Sequence, residues 1–232
     1  IKYIERSQDL QKKGEKIMTK RFGFTLAEVL ITLGIIGVVA AMTMPTLMNS
    51  TQGAQYKAAY KKALSALGQA VTLNVALDDY NFADTTETDI TKDYSIGKIL
   101  STRMNVVKTV KSGEDIGYTI QTPTAGSGTT TAISKTASNY TLFFNDGIVF
   151  SFPANAAGCT QDTVKGTWDK TKCTGYIDVN GQKGPNKVVA CNGNTNTTSC
   201  EVSNPTDIYP VKFYDQTVLP NSNAARAVLY GK

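Results

Sequence analysis

Side-chain oxygens crowd one stretch near the end of this 232-residue chain, Asp178-Val179-Asn180-Gly181-Gln182-Lys183-Gly184-Pro185-Asn186, with Asp207 following. Asp and Asn two apart before a Gly turn present oxygens on one side of a loop, which is what a hard cation such as calcium accepts. Asp178, Asn180 and Asp207 are therefore candidate calcium ligands. The further ligands and closing Glu of a complete 12-residue calcium loop are missing. The competing reading is a β-turn held by Asx hydrogen bonds, the commoner use of such residues.

Sulfur chemistry is confined to the same third of the chain. Cys159, Cys173, Cys191 and Cys200 include no C-x-x-C pair, and the chain has no histidine, so a zinc site is not expected. In an extracytoplasmic domain four such cysteines form disulfides, with three connectivities open. Cys159–Cys173 and Cys191–Cys200 are favoured, because each pair brackets a loop rich in Gly, Asn, Thr or Lys, and closing it restrains the unfolded chain. The alternative is four buried free thiols. Without histidine the Ser-His-Asp and Cys-His arrangements are excluded, and no Gly-rich phosphate loop follows a strand. The chain therefore does not read as an enzyme.

A third feature is Glu28, a lone carboxylate near the start of the apolar run Phe24–Leu47; no charged residue lies from Val29 to Tyr56. About 20 apolar residues suffice to span a bilayer as a helix. A carboxylate inside such a span needs a partner or a task. It lies four residues after Phe24, so a cut after Gly23 would place a new α-ammonium one helical turn away. The two charges could then pair within a chain or between neighbouring helices. The alternative is an ordinary signal anchor with Glu28 near the membrane surface.

Lys20-Arg21-Phe22-Gly23 followed by Phe-Thr-Leu-Ala-Glu-Val-Leu-Ile-Thr-Leu-Gly-Ile-Ile-Gly-Val-Val-Ala-Ala resembles the prepilin leader and first helix of type IV pilins and type II secretion pseudopilins. The resemblance covers Lys20 to about Leu47. It implies that a prepilin peptidase cuts between Gly23 and Phe24 and that Phe24 is N-methylated. It also implies that Glu28 neutralises the Phe24 amine of a neighbouring subunit during filament assembly, and that Pro45 marks a bent or unwound part of the helix. An inner-membrane platform and a cytoplasmic ATPase are the further partners implied. Major pseudopilins bind calcium in a C-terminal loop, although their ligands do not match these residues one by one. The Asp178–Asn186 and Asp207–Pro210 segments are similar to those of secretion-type pilin-like proteins, which favours a pseudopilin.

These features need elements to hold them. Residues 1–17 are polar without an apolar face, and Met18 stands just before the basic segment, so translation is expected to start there and to give a short leader. Residues 1–23 carry seven of the 24 Lys/Arg and three of the 19 Asp/Glu, leaving 17 and 16 and a net charge of +1. A nucleic-acid partner is therefore not indicated, while the basic segment before the span fits a cytoplasmic leader with the bulk of the chain outside. Gly34, Gly37 and Ala41 are small residues at helical spacing, which suit close helix packing or merely reflect ordinary membrane-helix composition. Pro45, lacking an N–H, is expected to kink or locally melt the helix.

From Thr51 to Tyr80 apolar residues recur every three or four positions, Tyr60, Ala63, Leu64, Leu67, Ala70 and Val71 among them, and predict an amphipathic helix. Joined to the span it makes a helix of about 50 residues. Asn81–Asp93 reads as a loop and Ile96–Met104 as a short helix. Gly117–Thr122, Tyr140–Phe144, Ile148–Phe152, Tyr176–Val179, Lys187–Ala190 and Ile208–Tyr214 read as strands, and Thr124–Thr131 as a loop. Asn145-Asp146-Gly147 is a hairpin turn signal.

The expected fold is α+β and pilin-like: a long N-terminal helix packed on an antiparallel β-sheet head. Its parts are a leader (1–23), a membrane or filament-core helix (24–48), the amphipathic half of that helix (49–80) and a disulfide-bonded head (81–232). The expected role is a structural subunit of a type II secretion pseudopilus or type IV pilus-like filament, anchored once in a bacterial inner membrane with its head outside. The alternatives are a minor pilin whose head binds DNA, a surface or a secreted substrate, and a signal-anchored extracytoplasmic protein.

Overall fold

A computed structural model of the chain describes residues 23–123, 129–133, 138–162, 167–192 and 200–231. It divides into two units, residues 1–46 and 47–232. Helix α1, Leu26–Asp78, begins in the first and ends in the second.

In the first unit the helix is apolar all round, and large side chains such as Leu30, Ile35 and Met42 are exposed. It is long and apolar enough to cross a membrane. The polar side chains inside it are satisfied locally: the hydroxyls of Thr32, Thr43 and Thr46 each donate to a carbonyl one turn back. A lipid-facing helix must meet its own hydrogen-bonding needs in this way. The helix runs through Pro45 without unwinding, so the local melting expected there does not occur.

In the second unit α1 turns an apolar stripe inward. Tyr60, Ala63, Leu67, Ala70 and Val71 are buried, at the three- and four-residue steps of one helical face. Asn74, the buried polar residue in that stripe, donates its amide to the Tyr80 carbonyl at 2.8 Å while its Oδ1 has no hydrogen-bond partner, and the helix ends four residues later. Helix α2, Ile96–Arg103, starts where the Ser95 hydroxyl accepts from the Lys98 N–H. Such an N-cap satisfies one of the orphan donors at a helix start. Helix α3, Asn223–Tyr230, is capped by Ser222 in the same way.

The main sheet is six-stranded and antiparallel. It is built from β1 (Val106–Val110), β4 (Asn139–Phe144), β5 (Val149–Pro153), β8 (Thr174–Asp178), β9 (Ile208–Tyr214) and β10 (Thr217–Pro220), in the order β1-β4-β5-β8-β9-β10. Strands β4 and β5 form the hairpin signalled by Asp146-Gly147, and Gly147 has the positive φ, 85°, that such a turn requires. Two small ribbons complete the set: β2 (Ile120–Pro123) with β3 (Thr129–Ile133), and β6 (Gln161–Asp162) with β7 (Thr167–Trp168).

Three expectations are corrected here. Thr129–Thr131, read as loop, belongs to β3, while residues 124–128 lie outside the described residues. Lys187–Ala190 is not a strand; it makes only single bridges, Gln121 with Lys187 and Val188 with Ile208. The first half of Gly117–Thr122 is an irregular bend, and the strand begins at Ile120. The core lies between the sheet and α1, where Phe82, Phe150, Phe152 and Phe213 form a buried aromatic group.

Candidate functional site

Two groups of residues could do the chemistry read from the sequence, one in each unit. At the start of α1, Thr25-Leu26-Ala27-Glu28 forms a reciprocal cap. The Glu28 carboxylate accepts from the Thr25 N–H at 2.9 Å and from its hydroxyl at 2.8 Å, and the Glu28 N–H donates back to that hydroxyl at 3.3 Å. This is a capping box, which satisfies donors that a helix start leaves open. The sequence reading did not use it, although Thr followed three residues later by Glu is its signature. The box turns the carboxylate back toward Phe24 and Gly23, which precede the helix. Residues 1–22 of the expected leader lie outside the described residues.

In the second unit the loop after β8 and the segment before β9 come together. Asp178 and Asp207 are buried, with 1% and 0% of their surfaces exposed. Asp178 Oδ1 accepts from the N–H groups of Asn180 and Gly181 at 3.1 and 3.0 Å. Asp207 accepts from Asn186 N–H through Oδ2 at 2.7 Å and from Lys187 N–H through Oδ1 at 2.9 Å. Asp178 thus shapes its own turn, as the Asx reading expects, and Gly181 supplies the positive φ, 69°, that this turn needs, whereas Asp207 clamps a segment distant in sequence. The Asn180 amide donates to the Gly184 carbonyl at 3.2 Å.

These bonds leave a set of oxygens over. Asp178 Oδ2, Asn180 Oδ1, Asn186 Oδ1 and Thr206 Oγ1 are all buried without a hydrogen-bond partner. Buried polar atoms are nearly always satisfied, so four unpaired oxygens in one loop pair call for an explanation such as an ion or water. Burial pushes the Asp178 carboxyl up to about 7 against the opposing pull of the Asn180 N–H and the neighbouring Tyr118 hydroxyl, the Asp207 charge adds to the shift, and burial raises Asp207 as well. No Lys or Arg pairs with either carboxylate among the described residues. Desolvated carboxylates and unpaired amide and hydroxyl oxygens are the donor types a hard cation takes. No group of three or more His, Cys, Asp or Glu occurs among the described residues, so the amide and hydroxyl oxygens are essential to the fit. Thr206 escaped the sequence reading because only the approach of two distant segments gives it a role.

The four cysteines form two disulfides, Cys159–Cys173 and Cys191–Cys200, with Cα atoms 5.5 and 5.1 Å apart. Cys159 and Cys173 are wholly buried. The first bond ties the segment before β6 to the segment before β8, and the second falls between Asp178 and Asp207 in the chain.

Residues 18–44 match the model of the prokaryotic N-terminal methylation motif, which is the signature of type IV pilins and pseudopilins. Comparisons with curated proteins and with solved structures each find no match. The motif supports a pilin-like or pseudopilin protein. Its long helix and antiparallel six-stranded sheet form an α+β, pilin-like architecture.

Proposed function

We propose that the chain is a structural subunit of a type II secretion pseudopilus or type IV pilus-like filament. The observation that carries this reading is the methylation motif at residues 18–44, with Glu28 held in its capping box beside Phe24. On this reading a prepilin peptidase cuts between Gly23 and Phe24 and methylates the new amine. The 24–48 segment holds the subunit in the inner membrane by a single pass, with the head outside.

The mechanism is mechanical. A carboxylate in lipid costs about 2.5–3.5 kcal/mol on insertion scales, and a helix that leaves the membrane for a filament needs a neighbour to compensate it. The methylated Phe24 amine of an adjacent subunit supplies the opposite charge, so Glu28 and that amine neutralise each other as the helices pack. An inner-membrane platform and a cytoplasmic ATPase complete the machinery.

Calcium is the second part of the proposal. Asp178, Asn180 and Asp207 would hold it, with Asn186 and Thr206 completing the oxygens. Bound there, the ion supplies positive charge to two buried carboxylates and fixes the loop after β8 against the segment before β9. Its role is structural.

Intact mass and N-terminal sequencing of the protein recovered from membranes test the first part. A chain beginning with N-methyl-Phe24 supports it. A chain that retains the leader through Gly23 overturns it in favour of a signal-anchored protein.

A further inference from the structure

The disulfide Cys159–Cys173 closes a loop that carries the β6–β7 ribbon, in which Gln161 pairs with Trp168. Both cysteines are fastened to β9. The Cys173 carbonyl accepts from the Phe213 N–H at 3.1 Å, and the Cys159 carbonyl accepts from the Asp215 N–H at 2.8 Å. The ribbon is thereby held beside Tyr214, which lies between those two residues, and the rings of Trp168 and Tyr214 pack with centroids 6.3 Å apart. Along β9 the side chains of Tyr209, Val211 and Phe213 join the core, so strand alternation sends Lys212 and Tyr214 to the other face of the sheet.

Cations gather on this aromatic pair. Lys212 Nζ lies 3.9 Å from the centre of the Trp168 ring and 5.4 Å from that of Tyr214, and Lys170 Nζ lies 5.7 Å from Trp168. Among the described residues, Lys170, Lys212 and Arg226 make no ion pair. Burial and the Arg226 charge hold the Lys212 amine below the usual lysine range, and no carboxylate among the described residues offsets them. The carboxylate beside Lys170 in sequence, Asp169, is engaged in its own turn, where Oδ1 accepts from the Thr171 N–H at 2.8 Å, the Thr171 hydroxyl at 2.6 Å and the Lys172 N–H at 3.2 Å. The Trp168 Nε1–H is buried without a hydrogen-bond partner, although buried donors are nearly always satisfied. An indole and two ammonium groups offer donors only.

We propose that Trp168, Lys170 and Lys212 form a binding site for a phosphoryl group. Phosphoryl oxygens are acceptors, which suits a set made only of donors, and a monoester's charge of about −1.5 to −2 balances two lysines. Lysine binds such a group as a point charge, and the indole N–H adds a neutral donor beside it. The site is distinct from the carboxylate pair. Lys212 pairs with Thr174 and Ile208 with Asp178, at opposite ends of the β8–β9 ladder, about 13 Å apart along the strand. The Cys159–Cys173 bond gains a second consequence, because it holds the ribbon that brings Trp168 and Lys170 to Lys212. Neither the filament reading nor the calcium reading bears on this site.

Trp168 is the only tryptophan of the chain, so its fluorescence reports on this site alone. The test titrates inorganic phosphate into the full-length chain in detergent, replacing chloride at constant ionic strength, with chelator present so that no calcium is bound. A saturable change in Trp168 emission is expected. Lys212→Gln and Lys170→Gln should each raise the half-saturating concentration about tenfold or more, the low end for a hydrogen bond to a charged group. Lys212→Arg should stay close to wild type, as should Lys61→Gln on α1. No saturable change in the wild-type chain, wild-type half-saturation in either glutamine variant of the site, or a tenfold loss in Lys61→Gln overturns the proposal. The chain reconstituted in phosphatidylcholine vesicles, with and without phosphatidic acid, separates the sources of the ligand. Emission shifted by phosphatidic acid, with the phosphate titration lost, supports the site and assigns it to a lipid headgroup. Emission and titration unchanged by that lipid support the site and assign it to a soluble phosphate.

Discussion

The rings of Tyr60 on α1 and Tyr209 on β9 lie parallel, with centroids 3.9 Å apart and planes 8° from each other. Both side chains are wholly buried, and neither hydroxyl has a hydrogen-bond partner. Burial pushes both hydroxyls above the usual tyrosine range, so they stay neutral. The stack is where the long helix meets β9, next to the edge strand β10 of the sheet.

Truncating one ring leaves a cavity in the core. Tyr60→Ala should cost about 3–5 kcal/mol, the range for removing a large buried aromatic side chain. Tyr209→Phe keeps the ring and removes an oxygen that bonds to nothing, so it should be neutral or slightly stabilising. Urea unfolding of the full chain in detergent checks both, and a loss above about 1 kcal/mol for Tyr209→Phe would mean its hydroxyl has a partner.

Glu28 has two roles to separate, a local cap and a charge. Glu28→Gln preserves the capping box, because Gln serves at that position as Glu does, but removes the charge. Insertion and leader cleavage should persist in Glu28→Gln and Glu28→Ala alike. Filament incorporation should fall about tenfold or more in both, a factor equivalent to about 1.4 kcal/mol. Wild-type amounts of Glu28→Gln in sheared filaments would sink charge neutralisation and leave the cap as the reason for the residue.

Substitution of Gly23 should leave the leader attached. Intact mass then reads a longer, unmethylated chain that is still recovered from membranes. Normal processing of a Gly23→Leu chain would move the cut elsewhere.

Calcium should stabilise the wild-type protein and chelation should reverse it. At about 100 times its dissociation constant a ligand adds about 2.7 kcal/mol, readable as a rise in melting temperature. Asp178→Asn and Asp207→Asn should abolish the rise, and Thr206→Val should weaken it. In chelator Asp178→Asn should be no less stable than wild type, because it removes a desolvated charge that nothing neutralises. An unchanged calcium response in Asp178→Asn would place the ion elsewhere.

The parts of the fold legible in the sequence are those where one period holds over a long run or a turn residue is decisive. The stripe from Tyr60 to Val71 marks α1, Asp146-Gly147 marks the β4–β5 hairpin, and the alternation in Ile208–Tyr214 marks β9. What stayed hidden is short or polar. Strand β1 is exposed at Val107, Lys108 and Thr109 and carries an irregular register, so it shows no clean alternation. Strand β3 opens on three threonines, which also make a loop. Helix α3 is signalled mainly by the Ser222 cap. At the oxygen cluster Asp178 and Asn180 stand near each other in sequence, whereas Thr206 becomes visible only when two segments meet. The apolar segment Lys187–Ala190 misled because its burial comes from single bridges to its neighbours.

The disulfides span 14 and 9 residues, and neither encloses any part of the other. In a head delivered across the membrane in N-to-C order, Cys159 and Cys173 both emerge before Cys191. A thiol oxidase that joins each cysteine to the next one arriving therefore makes the native bonds in a single pass. Maturation of a head so delivered needs an oxidant but no isomerase, and its covalent frame closes only as the last third of the chain reaches the far side.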